Sequence, residues 1–233
     1  MRGYYLGQTA DGSVIFWQLG ADKRIRIGKI MQYNRHTGKR IKNASSAIDW
    51  VHARLKKDKV LPEDFELQQC CFGEHLLNRY PNRTVALVES EKSAIIGYGC
   101  YPNYVWLATS GRSQLSANKL MVLQGRTVIL FSDADGYELW REKASELEQM
   151  GCRVIVSDLL EANASAEDRE AKIDIADWLI RELKQSFKQP VSTLQTLEEK
   201  TLQQLGSKNQ AIYELINALG LVSTKTNQPI TVS

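Results

Sequence analysis

Residues 83–96 read RTVALVESEKSAII, residues 103–111 NYVWLATSG, and residues 126–151 RTVILFSDADGYELWREKASELEQMG. Three short apolar runs rich in Val, Ile and Leu alternate here with segments of helical period, the pattern of a parallel sheet buried on both faces. Acidic residues stand where two of the runs stop: Glu89 and Glu91 after the first, Asp133 and Asp135 after the third. Groups at the carboxyl ends of strands in an open α/β sheet share one crevice, so acids distant in sequence can converge there. Crowded carboxylates repel one another, and a hard divalent cation held by oxygen ligands relieves the repulsion. The pattern therefore predicts a Mg²⁺ site, or one for Mn²⁺, at these four residues.

Upstream, residues 3–43 predict a four-stranded antiparallel meander. Asp11-Gly12 marks one hairpin turn, GADK a second and NRHTG a third. In RIRIGKIM the apolar phase slips after Gly28, which predicts a bulge there. The meander carries Arg24, Arg26, Lys29, Arg35, Lys39, Arg40 and Lys42, with Tyr5, Trp17 and Tyr33 interleaved. Cations that follow a phosphate backbone and aromatics on which bases stack are what a single-strand binding surface needs. An ordinary sheet with one wet face shows the same alternation, so both readings stand. A helix is expected from Ser45 or Ser46 to about Lys57 and a second over about 65–80, weakened by Gly73.

Downstream, YELWREKASELEQMG is the clearest helix and Gly151 its stop, with a fourth strand over 152–157. LLEANASAEDREAK reads as a surface loop with a helical turn, delivering Asp174 and Asp177 to the start of another helix. Beyond Pro190, leucines at helical spacing, a break at Gly206 and a capping box at Ser207 and Gln210 predict a helical hairpin. The expected organisation is a basic module over 1–80, an α/β core over 81–189 and the hairpin with its tail over 190–233.

Charge is also unevenly divided: residues 1–60 hold 13 Lys and Arg against 4 Asp and Glu, and residues 61–233 hold 17 against 23. The front of the chain suits a polyanion and the back suits cations. No apolar run is long enough to span a bilayer and no signal peptide is visible, which predicts a cytoplasmic protein with no membrane partner. Cys70, Cys71, Cys100 and Cys152 lack the spacing of a zinc site and read as buried thiols.

VESEKSA (88–94) resembles the first motif of the toprim domain, a short strand ending in Glu, and FSDADG (131–136) before a long helix resembles its DxD motif. The order fits, with the turn Thr109-Ser110-Gly111 between them, and KIDIADWL (172–179) resembles the primase segment in which an Asp opens a helix near the metal. With FWQLGADKRIRIGKIMQYNRHTGKRIKN (16–43) and GEHLL (73–77), the chain resembles primase-like toprim proteins of bacterial mobile elements. The resemblance implies a Rossmann-like toprim core with a mainly parallel four-stranded sheet, preceded by the antiparallel module and followed by the hairpin. It implies that Glu89 is the catalytic acid and that Asp133 and Asp135 are the metal pair, with Glu91 and Asp174 as further ligands.

Lys92, Arg112 and Lys119 are candidates to hold phosphates beside the basic meander. The implied activity is Mg²⁺-dependent nucleotidyl transfer of the DNA-primase kind, with single-stranded DNA and nucleotides as partners. A replication protein such as a helicase could sit on the C-terminal hairpin. A toprim nuclease, and a non-catalytic module binding DNA or a partner, remain open beside it. DADG also resembles the nucleophile motif of haloacid dehalogenase-type phosphatases, but those place it on the first strand of the domain rather than the third. It is not an EF-hand loop, whose later oxygen ligands are missing. The chain has no CxxC pair for the zinc ribbon of bacterial primases.

Overall fold

The computed structural model describes residues 3–41, 48–111 and 116–188. The chain divides into a unit over Met1–Glu182 and a second over Leu183–Ser233. The expected hairpin over 190–233 lies outside the described residues.

The basic front half forms an antiparallel sheet of β1 (Leu6–Gln8), β2 (Val14–Leu19), β3 (Ile25–Met31) and β4 (Asp49–Trp50), in that order. Gly12 at φ 81° closes the first hairpin, where the Asp11 carboxylate accepts from the Ser13 N–H. The third turn holds through the Asn34 carboxamide, which accepts from His36 and Thr37, and Tyr33 and Arg40 form an isolated bridge across it. The fourth strand instead comes from Asp49 and Trp50, residues that helical spacing assigns to a helix; they pair with Ile30 and Lys29. Helix α1 (Val51–Lys57) begins only after them. The bulge also moves. Register shifts at Gln18/Leu19, where Gln18 faces Ile27 and Leu19 faces Ile25, whereas Gly28 pairs regularly with Trp17. Gly28 is there for space: a Cβ would lie 2.6 Å from Val51 Cγ2 and 2.9 Å from the Trp17 ring.

The expected helix over 65–80 is not formed. Phe72 bridges Ala108, its N–H donating over 2.9 Å and its carbonyl accepting over 3.1 Å, so the segment caps a sheet edge as extended chain. Gly73 at φ 85° turns it into a single 3₁₀ turn, Glu74–Leu76, and a Cβ there would meet the Trp106 carbonyl at 2.6 Å.

The core follows the expected alternation of strands and helices: β5 (Val85–Val88), α2 (Glu91–Cys100), β6 (Val105–Ala108), α3 (Ala117–Leu120), β7 (Thr127–Leu130), α4 (Tyr137–Gln149) and β8 (Arg153–Val156). All four strands are parallel, in the order β6-β5-β7-β8. Strands β5 and β6 are buried throughout, which is why they read as unbroken apolar runs, while β8 exposes Arg153 and Ile155 as an edge. Then come α5 (Leu159–Asn163), α6 (Ala166–Ala171) with a Ser165/Asp168 capping box, and α7 (Ile175–Lys188). The segment read as a loop with one helical turn is thus two short helices.

The two sheets share one hydrophobic core, in which Tyr4, Phe16 and Met31 cluster with Phe72, Trp106 and Leu107. Tyr4 donates its hydroxyl to the Trp106 carbonyl at 2.7 Å. Cys70, Cys71 and Cys152 are buried free thiols, and burial pushes Cys71 up to about 12. Among the described residues no helix is long and apolar enough to cross a membrane.

Gly97 of α2 lies against the Trp106 ring, where a Cβ would stand 2.5 Å from ring carbons. The ring is held by its stack on Phe131, at 5.4 Å between centroids, and by donation to the Tyr101 carbonyl. Gly97→Ala gains up to about 1 kcal/mol of helix preference and loses about 1–3 kcal/mol to overpacking. We expect a lowered urea midpoint; an unchanged one would mean that the ring can yield.

Candidate active site

From β5 the chain crosses through α2 to β6 on one side, and β7 then pairs with β5 on the other. Connections that leave neighbouring strands in opposite directions open a crevice at the strands' carboxyl ends. Glu89 directly follows β5, and Asp133 and Asp135 lie in the turn between β7 and α4. Carboxylate residues thus follow the carboxyl ends of the adjacent strands β5 and β7. Glu89 is 9% exposed, and the fully buried Trp140 of α4 donates its indole N–H to Glu89 Oε1 at 3.2 Å. The turn holding Asp133 is pinned by its own carbonyl, which accepts from Gly136, and by Ala134 N–H, which donates to the Ile173 carbonyl. Asp135 pairs with Lys172 at 2.8 Å.

Glu91, two residues beyond Glu89, serves a different purpose. Its carboxylate accepts from Lys29 Nζ of β3 at 2.9 Å and from the Ser110 hydroxyl at 2.6 Å, and Gln18 of β2 donates its amide to that hydroxyl at 2.6 Å. Lys29 also donates to the Ser110 carbonyl at 3.3 Å. Side-chain exposures of 5% for Lys29 and 2% for Glu91 make this a buried pair. The network holds Ser110 in the left-handed region at φ 73°, fixing the turn at the end of β6. Lys119 reaches the same turn, donating to the Thr109 carbonyl at 2.7 Å, and burial lowers its pKa below the ordinary lysine value. Lys29 and Lys119 are thus interior groups rather than solvent-facing cations.

At the other end of the motif, α2 is tied to α7. Ser93 donates its hydroxyl to Asp174 at 2.8 Å, Asp174 accepts from the Asp177 N–H, and Lys92 bridges Asp174 at 3.3 Å and Asp177 at 2.9 Å. Burial alone would lower the Lys92 pKa, but the two carboxylates outweigh it and hold the ammonium above the usual lysine value. Among the remaining cations, Arg24 is exposed beside Asp22, Arg26 is bound to Asp22 and Gln68, and Lys39 and Arg40 are exposed in the third turn. Arg112 and Lys42 lie outside the described residues.

For a hard divalent cation the donors are chemically suitable, since Glu89, Asp133 and Asp135 all offer carboxylate oxygen. Glu89 follows β5, and Asp133 and Asp135 follow its neighbour β7. The side chains, however, are turned to protein partners, Glu89 to Trp140 and Asp135 to Lys172. Among the described residues no three His, Cys, Asp or Glu side chains are gathered as a ligand set. Asp174 and Glu91 are engaged with Lys92 and Lys29.

A family model described as a domain of unknown function (DUF6371) matches residues 1–134. The chain belongs to that family. The matched part of this DUF6371 chain holds Lys29, Glu89, Glu91, Ser110 and Asp133, and ends one residue short of Asp135. No curated protein matches the sequence. Among solved structures, the chain is similar to the zinc-binding and RNA polymerase domains of the Aquifex aeolicus primase, at 17% identity and TM-score 0.46, over 93% of this chain and 52% of that one. It is similar to the E. coli primase catalytic core, at 17% identity and TM-score 0.42, over 96% and 76% of the two chains. The RNA polymerase domain of the Mycobacterium tuberculosis primase gives 12% identity and TM-score 0.41, over 88% and 74%. The chain thus spans about half, 52%, of the Aquifex structure.

Trp140, Gln18, Ser93 and Lys172 escaped the sequence reading. Trp140 counts there only as an apolar face of α4, and nothing in the spacing shows its N–H aimed at an acid 51 positions upstream. Ser93, three residues after the cap Ser90, was the one with a visible signal.

In this DUF6371 chain, Lys29→Met should leave Glu91 buried without its cation and cost about 3–5 kcal/mol, whereas Lys29→Met with Glu91→Gln should recover most of that loss. Urea denaturation of the two single variants and the double variant measures the coupling. The raised Lys92 pKa adds stability that is fully present below its unfolded value of 10.5 and disappears as pH rises through the higher folded value. Lys92→Met should therefore lose roughly 1 kcal/mol at neutral pH and show a shallower loss of stability in that alkaline range.

Proposed function

We propose that the chain is a metal-dependent, primase-like toprim protein that joins nucleotides on a nucleic-acid strand. The observation that carries the reading is the pair of carboxylate positions, Glu89 and Asp133, flanking the divergence between the adjacent parallel strands β5 and β7. The motifs VESEKSA and FSDADG, which resemble those of toprim domains, supply these two positions. A divalent cation held by Asp133 and Asp135 would neutralise charge on phosphate oxygens. The chain's own contribution is positional. Trp140 orients Glu89 through its N–H, so that this carboxylate can take the proton of an attacking hydroxyl as pyrophosphate leaves. The bonds from Ala134 to Ile173 and from Gly136 to Asp133 hold the turn that presents the metal pair. Exposed Arg24, Lys39 and Arg40 leave a cationic approach for the strand.

The reading is tested on a denaturing gel with an end-labelled single-stranded template, nucleotides and Mg²⁺ or Mn²⁺. Longer or newly made strands are expected, reduced about 100-fold or more in Asp133→Asn, a near-isosteric change. Metal-dependent shortening of the template would instead establish a nuclease, and an unchanged product pattern in the variant overturns the site assignment.

A further inference from the structure

One groove of the described surface shares no residue with the carboxylates Glu89, Asp133 and Asp135. It is a groove of about 870 Å³, within the range of roughly 300–1,000 Å³ typical of ligand sites, and it opens where the first strand, the turn after β2 and residues 75–79 meet. Its chemistry is one-sided. Tyr5 and Trp17 contribute aromatic surface, Ile25 an apolar wall, Lys23 and Arg79 the cations, and no lining residue is acidic. Tyr5 is 56% exposed and Ile25 64%, so both present apolar surface at the groove. The Tyr5 ring leans on the His75 ring with centroids 5.2 Å apart. His75 is anchored by its Nε2 bond to the Gly3 carbonyl at 2.7 Å, and burial lowers its pKa, so it stays a neutral aromatic wall.

A flat apolar surface beside cations, with no opposing negative charge, suits a ligand that is both aromatic and anionic. We propose that this groove binds an unstacked nucleotide of a single-stranded nucleic acid, its base on Tyr5 and Trp17 and its phosphate between Lys23 and Arg79. Exposed aromatics offer every base a face to stack on, and the cations follow the backbone. The assignment rests on the proposed nucleic-acid function for its choice of ligand, but it involves none of the carboxylate residues.

The test is a fluorescence-anisotropy titration of the whole protein with a labelled single-stranded DNA and an abasic strand of equal length and charge, with metal chelated throughout. A chelated assay separates failure of this groove from failure of the metal-dependent reaction. The base-containing strand should bind roughly tenfold more tightly than the abasic one, and Tyr5→Ala should erase that difference while keeping the thermal midpoint. Arg79→Ala should weaken both strands alike and lower the salt slope by about 0.7. Equal binding of the two strands by the unaltered protein, no binding of either, or an intact preference in Tyr5→Ala overturns the proposal. So does a free mononucleotide that competes as strongly as the strand.

Discussion

The buried ion pair between Lys29 and Glu91 is the contact on which the rest of the arrangement depends. Two charges removed from water cost several kcal/mol each, and only close approach and further hydrogen bonds offset this. Here Lys29 meets Glu91 at 2.9 Å, and the Ser110 hydroxyl and Gln18 amide complete the network. Its members come from β2, β3, the start of α2 and the turn after β6, so one polar cluster joins the antiparallel sheet to the carboxyl ends of the parallel strands. An apolar contact there would tolerate sliding. A directional pair tolerates far less, and Glu89 lies only two residues from it.

Around that anchor, the crevice is held from three sides. Trp140 carries the position of α4 to Glu89, the Ala134–Ile173 bond carries the segment before α7 to the Asp133 turn, and Lys92 and Ser93 carry α2 to Asp174 and Asp177. Each tie joins elements distant in sequence, so the acids owe their positions to tertiary contacts more than to the strands that deliver them. Asp174, which resemblance alone would make a metal ligand, gains its partners through this bracing.

The cationic half of the chain divides by burial. Lys29 and Lys119 neutralise or bond interior oxygens, Arg26 bonds Asp22 and Gln68, and Arg24, Lys39 and Arg40 stay in water. A surplus of Lys and Arg over residues 1–60 therefore overstates the charge available to a polyanion. The groove beside Tyr5 differs in that its lining holds Lys23 and Arg79 and no acidic residue.

The parallel core was legible in the sequence because strands buried on both faces must be continuously apolar, and because α4 shows one apolar stripe, Trp140, Ala144 and Leu147. VALV, VWLA and TVIL announce themselves for that reason, as does the stop at Gly151. The acids at the ends of β5 and β7 were equally visible, since an unpaired charge cannot enter such a strand. What only the tertiary structure decided were the partners. Lys29 looks like any cation on an alternating strand until a second sheet buries it. Phe72 looks helical until the β6 edge offers backbone hydrogen bonds, and Asp49-Trp50 looks like a helix start until β3 leaves an edge to pair. Periodicity records which side of an element avoids water, but it cannot record which distant group waits there.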